Sequence, residues 1–136
     1  FPGFAPAAGD PEWVNVVPSA QYLSSYVFFT DPTYPETNLV VVRKKDKNGF
    51  FADVELDCAG FLTGWQPVGN YEYTRADLVI KDFQNVGACA NGRRVMKSTR
   101  PFGLTVWGWG IAASYAYPGG AAVQAINQVV VPPTPR

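Results

Sequence analysis

Short apolar runs with alternating polar positions extend along most of the chain, and glycine and proline separate them at intervals. This punctuation is typical of strands joined by turns. No segment keeps the i, i+3, i+4, i+7 apolar spacing of a helix over three turns. The pattern therefore predicts an all-β fold. The predicted strands are 13–17, 22–30, 37–45, 50–57, 71–83 with a break near Arg75 left open, 93–98, 102–109 and 123–131.

The clearest local signal is a turn at Lys47-Asn48-Gly49. Asn-Gly accepts positive φ at both central positions of a type I′ turn, whose twist suits a hairpin. The sequence therefore predicts a hairpin between 39–45 and 50–57. Its second strand alternates: Phe50, Ala52, Val54 and Leu56 lie on one face, and Phe51, Asp53, Glu55 and Asp57 on the other.

Several antiparallel strands in a chain of 136 residues favour two packed layers. We therefore predict an antiparallel two-layer β-sandwich, like a jelly roll, over residues 13–131. An extended N-terminal arm over 1–12 and a C-terminal tail over 132–136 flank this domain.

Composition and charge exclude several function classes. The chain has eleven acidic and eleven basic residues and no histidine, so it lacks the commonest general base and metal ligand. Zero net charge removes the electrostatic signature of a nucleic-acid binder. The apolar runs are far shorter than the roughly 20 residues that cross a bilayer. We expect no enzyme activity, cofactor, metal, nucleic-acid partner or membrane insertion.

Each of two charged clusters can be interpreted either as a functional site or as an ordinary solvated surface. Asp53, Glu55 and Asp57 lie about 6.6 Å apart per step along one strand face. That spacing would suit an inverting glycosidase, but a solvated strand face is the favoured interpretation. The basic residues around Asp46 would form either a polyanion contact or, as we favour, a soluble hairpin tip. They are Arg43, Lys44, Lys45 and Lys47.

The two cysteines help to predict the cellular location of the protein. The sequence opens at Phe1 without an initiator Met, which reads as a mature segment after removal of a signal peptide. In a secreted chain, Cys58 and Cys89 would form a disulfide. Two unpaired thiols in a cytosolic protein are the alternative. We predict the disulfide and an extracellular or cell-surface location.

The stretch 102–109 is the richest in aromatic and glycine residues. With a period of two, Phe102 shares a face with Leu104 and Val106, while Trp107 and Trp109 point the other way. The tryptophans either lie under another segment or form a surface on which a sugar ring or a partner chain stacks. By the same period, Tyr115 and Tyr117 are expected to extend that surface.

Seven stretches resemble the N-terminal domain of IgGFc-binding proteins, in its bacterial-type form. They are 14–22 (VNVVPSAQY), 28–34 (FFTDPTY), 56–58 (LDC), 65–69 (WQPVG), 71–75 (YEYTR), 102–108 (FGLTVWG) and 114–120 (SYAYPGG). The resemblance covers most of 13–131 and concerns the C-terminal portion of the family domain. It implies a secreted or cell-surface protein-binding or adhesive module without catalysis, and it assigns no binding residues.

Together these features predict a secreted structural module that associates with copies of itself into a fibre or surface assembly. Phe1 and Phe4 of the N-terminal arm are the expected anchors in a partner's apolar groove. The run Val129, Val130 and Val131 is the expected site of strand pairing, either within its own sheet or into a neighbouring copy. The alternative is an adhesive module that recognises an extracellular glycan or glycoprotein through Trp107, Trp109, Tyr115 and Tyr117.

Overall fold

The computed structural model describes residues 8–123. Nine strands follow a short 3-10 turn (Ser19–Gln21), all of them antiparallel and hydrogen-bonded into one curled sheet, a half-barrel. The predicted all-β fold is confirmed. The strands are β1 (Leu23–Thr30), β2 (Glu36–Lys44), β3 (Val54–Leu56), β4 (Gly60–Phe61), β5 (Gln66–Val68), β6 (Tyr71–Ile80), β7 (Gln84–Asn85), β8 (Gly92–Gly110) and β9 (Ala113–Pro118).

Strand β8 joins the two halves of the sheet. Its first part pairs with β1 and β3, and its second part pairs with β2 and β9. At the change-over the register with β1 jumps from Leu23↔Phe102 to Ser25↔Lys97, so Pro101 lies in an irregularity rather than in a regular ladder. The two predicted strands 93–98 and 102–109 are therefore one bent strand, and both of its parts belong to the same curled sheet.

Both halves of the sheet turn apolar side chains into one core. Tyr26 of β1 packs edge-on against Phe102 of β8, with ring centroids 5.0 Å apart. The Tyr26 hydroxyl donates to the carbonyl oxygen of Phe102, which satisfies a polar group that burial would otherwise penalise. The core consists of Tyr26, Phe28, Leu39, Val41, Val54, Leu56, Leu78, Val79, Cys89, Met96, Phe102, Leu104 and Val106.

The predicted disulfide between Cys58 and Cys89 is present, with the two Cα atoms 4.9 Å apart. Cys58 follows β3, and Cys89 is a buried residue of the loop before β8. The bond ties the short β3–β4 edge to the loop that leads into the central strand.

Several strand predictions match the structure. The segments 22–30, 37–45 and 71–83 correspond to β1, β2 and β6, and β6 continues through Arg75 without a break. By contrast, 13–17 is not a strand, and Trp13 and Val16 are exposed. Of 50–57, only the three residues of β3 belong to a strand, although Val54 and Leu56 face the core as expected. The segment 124–131 lies outside the described residues.

The predicted hairpin is wrong, although a turn does form at its expected place. Asp46 controls that turn: its carboxylate accepts from the backbone N–H groups of Asn48 (2.8 Å) and Phe50 (2.9 Å). Only Gly49 has positive φ there, so the turn is not type I′. After the turn, the chain does not pair back on β2, because β6 and β8 flank β2 on both sides.

Within residues 8–123 no helix has the length and apolarity needed to cross a bilayer. Over the same range, no group of three or more His, Cys, Asp or Glu side chains is placed to hold a metal ion.

Candidate binding surfaces

Strand β1 forms an open edge of the sheet. Within residues 8–123 it pairs only with β8, and its sequence LSSYVFFT contains no charged residue and no proline. Val27 and Phe29 are 54% and 63% exposed. Natural sheet edges normally carry charges, prolines or a covering segment that prevent pairing with another chain. An uncharged edge of eight residues is therefore a surface on which a strand can be added.

An aromatic groove of about 660 Å³ begins where β1 ends. Phe29 and Tyr34 line it together with Tyr115 and Tyr117 of β9. The Tyr34 and Tyr115 rings meet edge to face, with centroids 4.7 Å apart. Since Phe29 belongs to both the groove and the β1 edge, the two surfaces are continuous.

Tyr115 and Tyr117 also connect β9 to the end of β1. The Tyr115 hydroxyl accepts from the backbone N–H of Asp31 (3.0 Å), and the Tyr117 hydroxyl donates to the carbonyl oxygen of Phe29. Burial is the main cause that raises the pKa of both tyrosines, because it disfavours the phenolate. Both side chains therefore hold the curled sheet together as neutral phenols.

The four residues expected to form one aromatic surface lie on two faces. In the register of β8 with β9, Trp107 is opposite Ala116 and Trp109 opposite Ser114, whereas Tyr115 is opposite Gly108 and Tyr117 opposite Val106. Directly opposed residues project from the same face of a sheet. The tyrosines therefore share the face of Val106, which is in the core, and they do not extend the tryptophan surface.

Trp107 and Trp109 stack on each other on the outer face. Their ring centroids are 5.2 Å apart, and their planes deviate from parallel by 5°. Both side chains are half-buried. Each ring thus covers one π-face of the other, which reduces the flat area open to a sugar ring.

Part of the N-terminal arm lies against Trp109. The backbone N–H of Gly9 donates to the carbonyl oxygen of Gly110 (2.7 Å), and a Cβ at Gly9 would come within 2.7 Å of the Trp109 ring. Asp10 accepts a hydrogen bond from the Ser114 hydroxyl (2.7 Å). Residues 8–10 therefore dock on their own chain. The predicted anchors Phe1 and Phe4, like Val129, Val130 and Val131, lie outside the described residues.

The three carboxylates Asp53, Glu55 and Asp57 each have a cation beside them. Asp53 is 3.7 Å from Arg43 Nη1, Glu55 is 3.8 Å from Lys97 Nζ, and Asp57 is 3.8 Å from Arg94 Nη1. All three lie at the surface, with side chains 35% to 76% exposed. The three side chains thus lie on a solvated face, as the favoured interpretation expects, and the structure adds their ion pairs.

The basic residues around Asp46 do not form the single exposed cluster that the sequence predicts. Arg43 turns inward: it donates from Nε and Nη2 to Glu72 (3.0 and 2.7 Å) and lies over the Trp65 ring, 3.9 Å from its centroid. Lys44, Lys45 and Lys47 remain exposed. The irregularity of β8 adds Arg100 to them, a neighbour that no local sequence signal indicates.

These four cations surround a pocket of about 440 Å³. Its remaining lining residues are Ser19, Tyr22, Asp46 and Pro101. The Tyr22 ring lies on Gly103, where a Cβ would approach it to 2.6 Å. Burial is the main cause that raises the pKa of Tyr22, so this wall of the pocket is a neutral phenol.

Comparison with known proteins gives a family match. The family model described as IgGFc binding protein matches residues 4–108, most of the chain. Comparison with curated proteins and with solved structures found no significant match. The matched family is extracellular and binds other molecules, and it is not known for enzymatic activity. With this match over more than half of its length, the chain belongs to the IgGFc-binding protein family.

Proposed function

We propose that the chain is an extracellular protein-binding module that takes up an extended segment of a partner as an added strand along β1. Copies of the chain are the partner we propose, so that repeated addition builds a fibre or surface assembly. The observation that carries this proposal is the uncharged, proline-free edge of β1, with Val27 and Phe29 exposed.

Strand addition uses two kinds of contact, and both are available at this edge. Backbone hydrogen bonds to the open edge supply affinity, and pockets for alternate side chains supply specificity. The aromatic groove beside Phe29 is such a pocket, because it opens at the end of the same strand. An incoming strand could pair along β1 and place one apolar side chain between Tyr34 and Tyr117.

The donor segment that we propose is the run Val129–Val131 of a second copy, which is free of proline until Pro132. The backbone N–H of Ala122 donates to the carbonyl oxygen of Gln21 (2.8 Å), so the described chain ends close to the beginning of β1. In this proposal Phe1 and Phe4 add side-chain contacts, each contributing roughly 1.5 to 3 kcal/mol of burial before ordering costs.

The test compares two valine-to-lysine variants by sedimentation velocity over a range of concentrations. Val27→Lys places a charge on the β1 edge and should leave the protein monomeric. Val68→Lys is the matched control, since Val68 is 53% exposed on the short strand β5, and it should assemble like the wild type. A monomeric wild type at high concentration, or equal assembly of both variants, would overturn the proposal.

The second candidate function is adhesive recognition of a glycan or glycoprotein. The half-buried pair of Trp107 and Trp109 on the outer face favours it, whereas Tyr115 and Tyr117 serve the opposite face. In this case Trp107→Ala should abolish binding to glycoproteins that carry only neutral glycans on an array while leaving sedimentation unchanged. Binding that survives in Trp107→Ala would remove this candidate.

A further inference from the structure

The pocket between the end of β2 and the irregularity of β8 concentrates positive charge in a chain whose net charge is zero. Four cations line it against one carboxylate, a local excess of three charges. Elsewhere the basic residues are largely compensated: Arg43, Arg75, Arg94 and Lys97 are each within 4.0 Å of a carboxylate oxygen.

This compensation of basic residues by ion pairs does not extend to the pocket. Six basic residues in the described part of the chain take part in no ion pair, and four of them line the pocket: Lys44, Lys45, Lys47 and Arg100. The other two, Lys81 and Arg93, lie elsewhere. Residues 1–7 and 124–136 contain no Asp or Glu.

The carboxylate within the pocket, Asp46, makes hydrogen bonds to the backbone. Asp46 accepts from the backbone N–H groups of Asn48 and Phe50, and chiefly the Phe50 bond lowers its pKa. Its oxygens hold the turn that presents Lys45 and Lys47. Asp46 therefore organises the pocket, and its single charge, which interacts with Arg100, leaves an excess of three positive charges.

We propose that this pocket binds the acidic groups of an extracellular glycan, either sulfate esters or carboxylates. The planar guanidinium of Arg100 can hold two oxygens of one such group, while the lysines act as mobile point charges around it. Tyr22 and Ser19 offer hydroxyl groups to the neutral hydroxyls of the same sugar. The volume of about 440 Å³ lies in the range of ligand pockets, which is roughly 300 to 1,000 Å³.

A glycan fits this site better than a nucleic acid. Nucleic-acid binders track many phosphates along a basic stripe and stack bases on aromatic side chains. Here the excess charge is confined to one pocket, and the one aromatic side chain that lines it, Tyr22, lies against Gly103. The family is also extracellular.

The experiment measures binding of three probes by isothermal titration: a heparin oligosaccharide, a hyaluronan oligosaccharide, and a single-stranded DNA of equal charge. Heparin binding with weak hyaluronan binding would identify sulfate as the ligand group, and the reverse would identify carboxylate. For about three charge contacts, affinity should fall roughly twenty- to fortyfold between about 50 and about 200 mM NaCl.

Two triple variants with the same change in net charge locate the site. Lys45→Gln/Lys47→Gln/Arg100→Gln should weaken glycan binding at least about tenfold. Lys81→Gln/Arg93→Gln/Lys97→Gln removes the same residue types elsewhere and should bind like the wild type. Circular dichroism checks that both variants are folded.

Three results would overturn the proposal: binding of neither glycan, equal weakening in both triple variants, or tighter binding of DNA than of both glycans. The outcome is independent of strand addition, because Val27→Lys should leave glycan binding unchanged.

Discussion

Tyr115 of β9 lies directly over Gly108 of β8, so closely that a Cβ at Gly108 would come 2.5 Å from Tyr115 Cζ. The ring cannot move aside freely, since its hydroxyl is bonded to the N–H of Asp31 and its edge meets Tyr34. The absence of a side chain at position 108 thus allows β9 to bring its tyrosines to the end of β1.

Replacing Gly108 by alanine should destabilise the fold by roughly 1 to 3 kcal/mol, because the added methyl group overlaps a held ring. Gly110→Ala is the matched control on the same strand. Its nearest contacts, Ala113 and Tyr34, would be 3.6 Å away, so its stability should stay the same or rise by up to about 1 kcal/mol. Urea unfolding of both variants gives the comparison. Equal losses of stability in the two variants would show that the Tyr115 ring moves aside for the added methyl group.

Reduction of the Cys58–Cys89 bond should lower stability by about 3 to 4 kcal/mol in the chain-entropy model. The bond joins residues 31 apart in sequence, so its loss frees a sizeable loop in the unfolded chain. Thermal unfolding with and without reductant measures the effect, and a thiol titration of the unreduced, denatured protein should find no free thiol. In Cys58→Ser/Cys89→Ser, reductant should change nothing further.

Arg43→Lys should cost roughly 2 to 3 kcal/mol, somewhat less than breaking a fully buried pair. A lysine cannot reproduce the two N–H bonds to Glu72 or the stacking over Trp65. The control is Arg75→Lys, whose exposed pair with Asp77 should contribute at most about 1 kcal/mol. If the two variants lose the same stability in urea unfolding, Arg43 has no special role in packing.

Alkaline pH should weaken the fold through Tyr115 and Tyr117. Their folded pKa values are raised above the ordinary value of 10.0, so the unfolded chain loses these protons first. Their contribution is therefore complete below pH 10 and is lost as pH rises through the folded pKa values. In urea unfolding, Tyr115→Phe/Tyr117→Phe should lose less stability than the wild type above pH 10. Tyr73→Phe, an exposed control, should follow the wild type.

Alternation of side chains could be predicted from the sequence wherever one face of a strand is buried. Leu104 and Val106 point into the core and Trp107 points outward, as the period of two requires. The partner of each strand could not be predicted in the same way. The turn at Asp46 forms from local hydrogen bonds, but β6 and β8 occupy both edges of β2, so the expected hairpin has no edge to form on.

The same limit applies to the candidate sites. Tyr117 shares a sequence period with Tyr115, but only the register with β8 decides which face the two occupy. Arg100 joins Lys45 and Lys47 because the β1–β8 register skips residues beside Pro101. These contacts join residues that are far apart in sequence, so the spacing of residues along the chain does not predict them.

The bent strand β8 also has a consequence for how the chain folds. Since β1, β2, β3 and β9 all pair with it, neither half of the sheet has a complete set of hydrogen bonds without the other. Most of these pairings join distant segments, such as Leu23 with Phe102, and such closures are slow to form. Refolding should therefore take milliseconds to seconds, and unfolding should be a single cooperative transition when followed by tryptophan fluorescence and by circular dichroism.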